Sequence, residues 1–287
     1  MKKILLQTTI EYAKDDWSVE RFSLLSDLLS SIENESGNRV FTIAARDREN
    51  LSSGDDRVLS KLDETDFDEL WLLGVDVGGG LGPLDCAAIG RFRQRGGGIF
   101  TSRDHQDLGI SFCNLGGIGA ANHFHSKNPE VDSERRKDDD NDTPNISWPN
   151  YHSGKNGDFQ TIEVVSPLHP IMRNPANPSG RIEWLPAHPH EGAISVPSGE
   201  NHARVIAVGK SLKTSRPFNL TIAFERNGDG RAVVDSSFHH FADYNFDPRR
   251  GSPSFVTEAP GYGLMENASA LRDAKMYVLN IAHWLTE

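Results

Sequence analysis

Gly96-Gly97-Gly98-Ile99-Phe100-Thr101-Ser102-Arg103-Asp104-His105-Gln106 is the stretch on which the reading of the fold turns. Three glycines stop a helix, an apolar strand begins at once, and that strand breaks off in small and polar residues. Upstream, Pro83 to Arg95 reads as a helix with Pro83 in its first turn, where the absent N–H does no harm. Phe67 to Gly74, Arg39 to Ala45 and Lys3 to Thr8 are short apolar runs suited to buried strands. Ser18 to Ile32 sets Val19, Phe22, Leu25, Leu28, Leu29 and Ile32 at helical spacing, whereas Leu51 to Leu62 is polar and ambiguous. Strand–helix alternation with short glycine connections predicts an α/β chain with a doubly wound, mostly parallel sheet. Active sites in such sheets lie at the carboxyl ends of the strands.

Periodicity lapses from about 111 to 160, where glycine pairs, a charge run from Glu130 to Asp142 and Asn/Pro/Gly clusters follow one another. So long a connection within a compact domain predicts an inserted lid or loop region. Beyond it, Thr161 to Val165, Arg204 to Gly209, Asn219 to Glu225 and Arg231 to Ser236 are strand-like. Ala268 to Leu285 carries Leu271, Ala274, Tyr277, Val278, Ile281 and Leu285 on one face of a closing helix. The whole chain, 1–287, reads as one domain with that insertion.

Forty-one acidic and thirty basic residues leave a net charge of -11, which argues against nucleic acid as a partner, since phosphate backbones need a cationic stripe. No apolar run approaches the ~18 residues needed to span a membrane, and the apolar run at Ile4-Leu5-Leu6 is too short for a signal-peptide core. These features predict a cytoplasmic protein with Cys86 and Cys113 as reduced thiols. They leave a homo-oligomer open.

Eleven histidines are many for this length, and they cluster where chemistry is expected. Ser102 stands at the predicted strand-to-helix turn, a position that suits either a nucleophile backed by helix N–H groups or a simple helix cap. Arg231 to Asp243 repeats the grammar: a buried strand, small residues, then His239, His240 and Asp243. A histidine at a strand end is placed to act as a general base, or to sit satisfied in the core. In Pro186-Ala187-His188-Pro189-His190-Glu191, a His-x-His pair on extended chain brings two imidazoles to one side. His188, His190 and Glu191 are thus candidate ligands for a divalent metal, with His239 or Asp104 as further choices. His123-Phe124-His125 has the same spacing.

At these residues the chain resembles the class I glutamine amidotransferases. Thr101 to Gln106 is similar to the family's elbow, G-I-C-x-G-H-Q, with Ser102 in place of the catalytic cysteine. Phe238-His239 falls at its F-H-P-E element, which matches His239 to the catalytic histidine. Gly78 and Gly79 follow the third strand, where the family forms its oxyanion loop. Phe241 stands in place of the family's glutamate and leaves Asp243 as the substitute, so glutamine-dependent thiol chemistry is not implied. The ThuA-like (trehalose-utilisation) branch is a closer resemblance, through Gly96 to Thr101, His169-Pro170-Ile171 and Gly230 to His239, in matching order over most of the chain outside 111–160. It implies a flavodoxin-like fold and leaves the reaction open.

Together these readings predict a hydrolase of a small polar, carbohydrate-derived substrate that needs no cofactor. Ser102 is its nucleophile, His239 its base, and Asp243 or Asp104 orients the imidazole. Backbone N–H groups of Gly78, Gly79 and Arg103 form the oxyanion hole, and His105 and His240 contact substrate. The first alternative is a metal-assisted enzyme using His188, His190 and Glu191. The second is a catalytically inactive ligand-binding or scaffold protein of the same fold.

Overall fold

The computed structural model describes residues 1–75, 81–104, 113–124, 128–133, 139 and 150–287, with the side chain of Asn150 left aside. The strands in chain order are β1 (Lys2–Glu11), β2 (Phe41–Arg48), β3 (Glu69–Gly74), β4 (Gly98–Arg103), β5 (Asn150–Tyr151), β6 (Phe159–Thr161), β7 (Glu163–Val164), β8 (Trp184–Pro186), β9 (Glu191–Gly192), β10 (Ala203–Lys210), β11 (Pro217–Phe224) and β12 (Ala232–Asp235). The helices are α1 (Ser23–Ser30), α2 (Pro83–Gln94), α3 (Asp243–Phe246), α4 (Gly263–Glu266) and α5 (Ala268–Thr286). Among the described residues, eight strands form one sheet in the order β2-β1-β3-β4-β12-β11-β10-β7. The first five run parallel, and β11, β10 and β7 extend the sheet antiparallel. This is the α/β, flavodoxin-like architecture. Two small antiparallel pairs, β5 with β9 and β6 with β8, lie outside it.

Alternation along the strands sorts side chains into two layers, because successive residues point to opposite faces. Ile4, Leu6, Trp71, Leu73, Phe100 and Val233 pack with Leu25 and Leu29 of α1 and Tyr277 and Ile281 of α5. Leu5, Leu70, Leu72, Ile99 and Val234 pack with Ala88, Ile89 and Phe92 of α2. Both faces are covered, so the parallel strands read as continuous apolar runs.

The expected helix over Ser18 to Ile32 is divided in two. A 3₁₀ turn, Val19–Phe22, precedes α1, and each start has its own distant cap. Asp47 accepts from the Val19 N–H at 2.7 Å, and Asp243 accepts from the Leu24 N–H at 2.7 Å. The ambiguous stretch before β3 is a folded loop ending in a 3₁₀ segment, Leu59–Glu64. Asp56 holds it by accepting from the N–H groups of Glu49, Val58 and Leu59, each at 2.8 Å. Asp273 of α5 pins the 174–184 segment by accepting from the side chain of Asn177 at 2.8 Å and the Glu183 N–H at 2.8 Å.

The expectation of two reduced thiols is corrected. Cys86 on α2 and Cys113 form a disulfide, their Cα atoms 5.8 Å apart across 27 residues of sequence. The α2 face that Leu115 and Ile118 cover brings the two together, a tertiary contact that the spacing alone does not reveal. Among the described residues, no helix is long and apolar enough to cross a membrane.

Glu69 begins β3 fully buried, its Oε2 accepting from the Trp71 indole at 2.7 Å. Burial pushes its carboxyl well above the ordinary range. The folded state therefore keeps a proton that the unfolded chain releases above the ordinary glutamate value of 4.5, and stability falls as pH rises from there. Glu69→Gln is expected to match the wild type near pH 4 and exceed it by about 1–2 kcal/mol at pH 8. Urea midpoints at the two pH values measure this.

Candidate active site

Ser102 does not stand on a turn. β4 continues through it to Arg103, and its side chain lies on the Phe100 face, toward α1 and α5. The register sets it beside Asp235 of β12, and the fully buried Ser102 hydroxyl donates to Asp235 Oδ1 at 3.4 Å. Among the described residues no hydrogen bond joins it to His239; its hydroxyl is paired with Asp235 instead. Gly78, Gly79 and His105 lie outside the described residues. Arg103 points to the other face of β4, its guanidinium 4.0 Å from the Phe124 ring centre.

His240 and Glu191 belong to one buried knot with Asp235, and none of the three is more than 1% exposed. His240 Nδ1 donates to Asp235 at 2.8 Å and its Nε2 to Glu191 at 2.9 Å. Burial alone would lower the imidazole, but the two carboxylates outweigh it and hold His240 protonated, its pKa raised to about 10. Glu191 also accepts from Ser153 and Gln160, both at 2.7 Å, and from Ser236 at 2.8 Å. Asp235 also accepts from the Tyr277 hydroxyl at 2.7 Å. The carboxylate oxygens of Glu191 are thus committed to protein donors, which corrects its candidacy as a metal ligand. His240 faces these partners rather than a substrate.

Asp243 is likewise accounted for. It accepts from Ser23 Oγ at 2.5 Å as well as from Leu24 N–H, and so it caps α1 instead of orienting His239.

The group that does converge is Asp104, His188 and His239. They arrive from the end of β4, the approach to β9 and the turn after β12. Each offers one ligand-type atom, and these atoms lie within 4.8 Å of one another. The three are 3%, 2% and 5% exposed. His239 Nε2 is 3.6 Å from Asp104 Oδ2, beyond hydrogen-bond length. Burial pushes His239 below the ordinary histidine value against the opposing pull of Asp104, which keeps the imidazole neutral. Its ring stacks on His188, centroids 3.8 Å apart at 12°, and is hemmed in by the edge of Trp17 at 4.7 Å and by Phe238 at 4.2 Å.

His190 is next to this group rather than part of it. Its ring lies 5.3 Å from that of His188 at 87°, and its Nε2 is 3.4 Å from Glu258. His123 is bonded elsewhere, Nδ1 to the Asn128 carbonyl at 2.8 Å and Nε2 to Ser195 at 2.5 Å, and His125 lies outside the described residues. His169 caps a 3₁₀ turn, its Nδ1 accepting from Ile171 N–H at 3.2 Å. The sequence reading passed over Asn156, whose Oδ1 meets His188 Nδ1 at 2.9 Å, and Trp17. Neither carries a motif; only the tertiary fold sets them beside histidines.

The chain matches no family model and no curated protein. It is similar in structure to a ThuA-like protein from Parabacteroides merdae, with a TM-score of 0.51 and 14% identity over 99% of this chain and 90% of that one. The mmIFT52 N-terminal domain gives 0.52 and 12% identity, covering 100% and 98%. A cytoplasmic protein from Salmonella typhimurium LT2 gives 0.50 and 10%, covering 99% and 100%. At such identities the likeness is one of fold alone: the chain shares its α/β, flavodoxin-like architecture with a ThuA-like protein and with the other two.

Proposed function

We propose that this protein is a hydrolase of a small polar substrate whose reaction centres on Asp104, His188 and His239 and not on Ser102. The observation that carries the reading is the convergence of these side chains from three segments at the carboxyl ends of β4 and β12, the edge at which open α/β sheets bind ligands. Water is then the attacking group, since the serine hydroxyl is engaged with Asp235 inside the sheet. The Asp235–His240–Glu191 knot is scaffold beneath the site. Carbohydrate-derived esters, amides and glycosides are the first substrates to test.

A panel of chromogenic substrates tests the reading. His239→Ala and Asp104→Asn are expected to lower kcat/KM by at least ~100-fold, and Ser102→Ala by no more than about threefold. Loss of turnover in a folded Ser102→Ala protein, with His188→Ala unimpaired, would restore the serine mechanism.

A ligand-binding protein without turnover is the second reading. The near-complete burial of all three side chains favours it, because it suits a sequestered ligand better than rapid exchange. Ligand-induced thermal stabilisation without turnover on any substrate would mark it.

A further inference from the structure

We infer that Asp104, His188 and His239 bind one divalent transition-metal ion, with Zn²⁺ the first choice, and leave at least one coordination position open. The inference rests on the site described above, though not on the hydrolysis assigned to it.

Four features of the cluster point to a metal. The first is distance. The 3.6 Å between His239 Nε2 and Asp104 Oδ2 is too long for a hydrogen bond. It is close to the ~3.4 Å edge between two ligands held at about 2.1 Å from a tetrahedral ion. The widest pair of ligand atoms lies within 4.8 Å, so the set closes on an ion through side-chain rotations of about 1 Å.

The second feature is the orientation of His188. The Asn156 Oδ1 can only accept, so the 2.9 Å contact places the proton of His188 on Nδ1 and leaves Nε2 as the lone-pair atom. Metal-bound histidines are fixed in this way, by a hydrogen bond from the other ring nitrogen to a neighbouring acceptor.

The third feature is rigidity. Trp17 and Phe238 pack around the His239 ring, so little of its conformational freedom is lost on binding; the His188 ring, stacked on it, is the one that turns to bring its Nε2 to the ion. The fourth is donor type. Two imidazoles and one carboxylate suit zinc, iron or manganese better than calcium, which takes oxygen ligands. One carboxylate against a dication leaves the centre cationic and able to polarise a bound water or substrate oxygen.

Protein prepared without a polyhistidine tag, stripped with chelator and titrated with Zn²⁺ in a calorimeter tests the inference. One ion per chain is expected, with affinity falling at least ~100-fold in Asp104→Asn, His188→Ala and His239→Ala. Asn156→Ala is expected to lose about 10–100-fold, as positioning partners do. His190→Ala is expected to stay within about threefold of the wild type. Near-UV circular dichroism reports whether each variant is folded. Zinc-edge X-ray absorption of the wild type, which needs no variant, is expected to show two imidazoles and one carboxylate oxygen.

A folded wild type that binds no zinc overturns the inference. So does binding that survives all three ligand substitutions, which would belong to other histidines. A chelated protein that binds no added zinc and still hydrolyses substrate at the full rate overturns the metal and leaves the hydrolase standing. A metal-loaded protein without turnover on any substrate does the reverse.

Discussion

His240→Leu is expected to remove about 3–5 kcal/mol of folding stability, and urea denaturation at pH 7 should show it. Leucine takes away the cation between Asp235 and Glu191, which are fully buried and lie 2.8 and 2.9 Å from its two ring nitrogens. The remaining donors, among them Tyr277, Ser236 and Gln160, then face two negative charges with no counterion. Breaking a buried ion cluster from one side is among the most damaging changes a core can undergo. The pH dependence follows from the raised imidazole. Its folded pKa of about 10 exceeds the ordinary histidine value of 6.5, so its contribution is complete below about 6.5 and is lost as pH rises through 10. Wild-type stability should therefore decline across that window, and the variant should lack this component of the slope. A variant with an unchanged urea midpoint, or a wild type equally stable at pH 6.5 and pH 10, would show that the knot is not charged as described.

Gly192→Ala is expected to damage both the fold and the site. A Cβ at this position would lie 2.7 Å from the Asp104 carbonyl oxygen and 3.0 Å from that of Ser236. Both obstacles are backbone, so rotating a side chain cannot relieve them. The Gly192 N–H also donates to Ser236 O at 3.0 Å. The segment carrying His188 and Glu191 would have to lift away from the ends of β4 and β12. A loss of about 3 kcal/mol is expected, with zinc affinity reduced at least ~100-fold as the ligands separate. Thermal melts and the zinc titration read the two effects separately. Wild-type values in both would mean that the close approach is not needed.

Elements whose signals lie within a few residues were legible in the sequence. The helix expected from Pro83 to Arg95 ends at Gln94, and the closing helix expected from Ala268 to Leu285 runs to Thr286. The 18–32 stretch shows where local reading stops. Its spacing is helical throughout, but Asp47 and Asp243, distant in sequence, cap two separate starts.

The site divides along the same line. Asp104 and His239 were visible because polar residues after an apolar strand fall at the sheet's carboxyl edge. Ser102 misled because the strand runs one residue past it, so its side chain lies buried on a face of the sheet rather than raised on a turn. That face brings it to Asp235, 133 residues away. Glu191 and His240 were each singled out, as metal ligand and substrate contact, yet their 2.9 Å pairing turns both into core. His188 was found through its His-x-His spacing, but its ring stacks on His239 and lies edge-on to His190.

The place of β12 in the sheet bears on how the chain assembles as it is made. Among the described residues it is the sole link between the four parallel strands completed by Arg103 and the antiparallel β11, β10 and β7. It pairs with β4 across ~130 residues of intervening chain. At 5–20 residues per second, translation of that interval takes on the order of ten seconds. Throughout it, the open edge of β4, with Ile99 and Phe100 beside it, has no native neighbour. A nascent chain stalled before residue 230 should therefore present a sticky, chaperone-seeking strand edge, and one released after β12 should not.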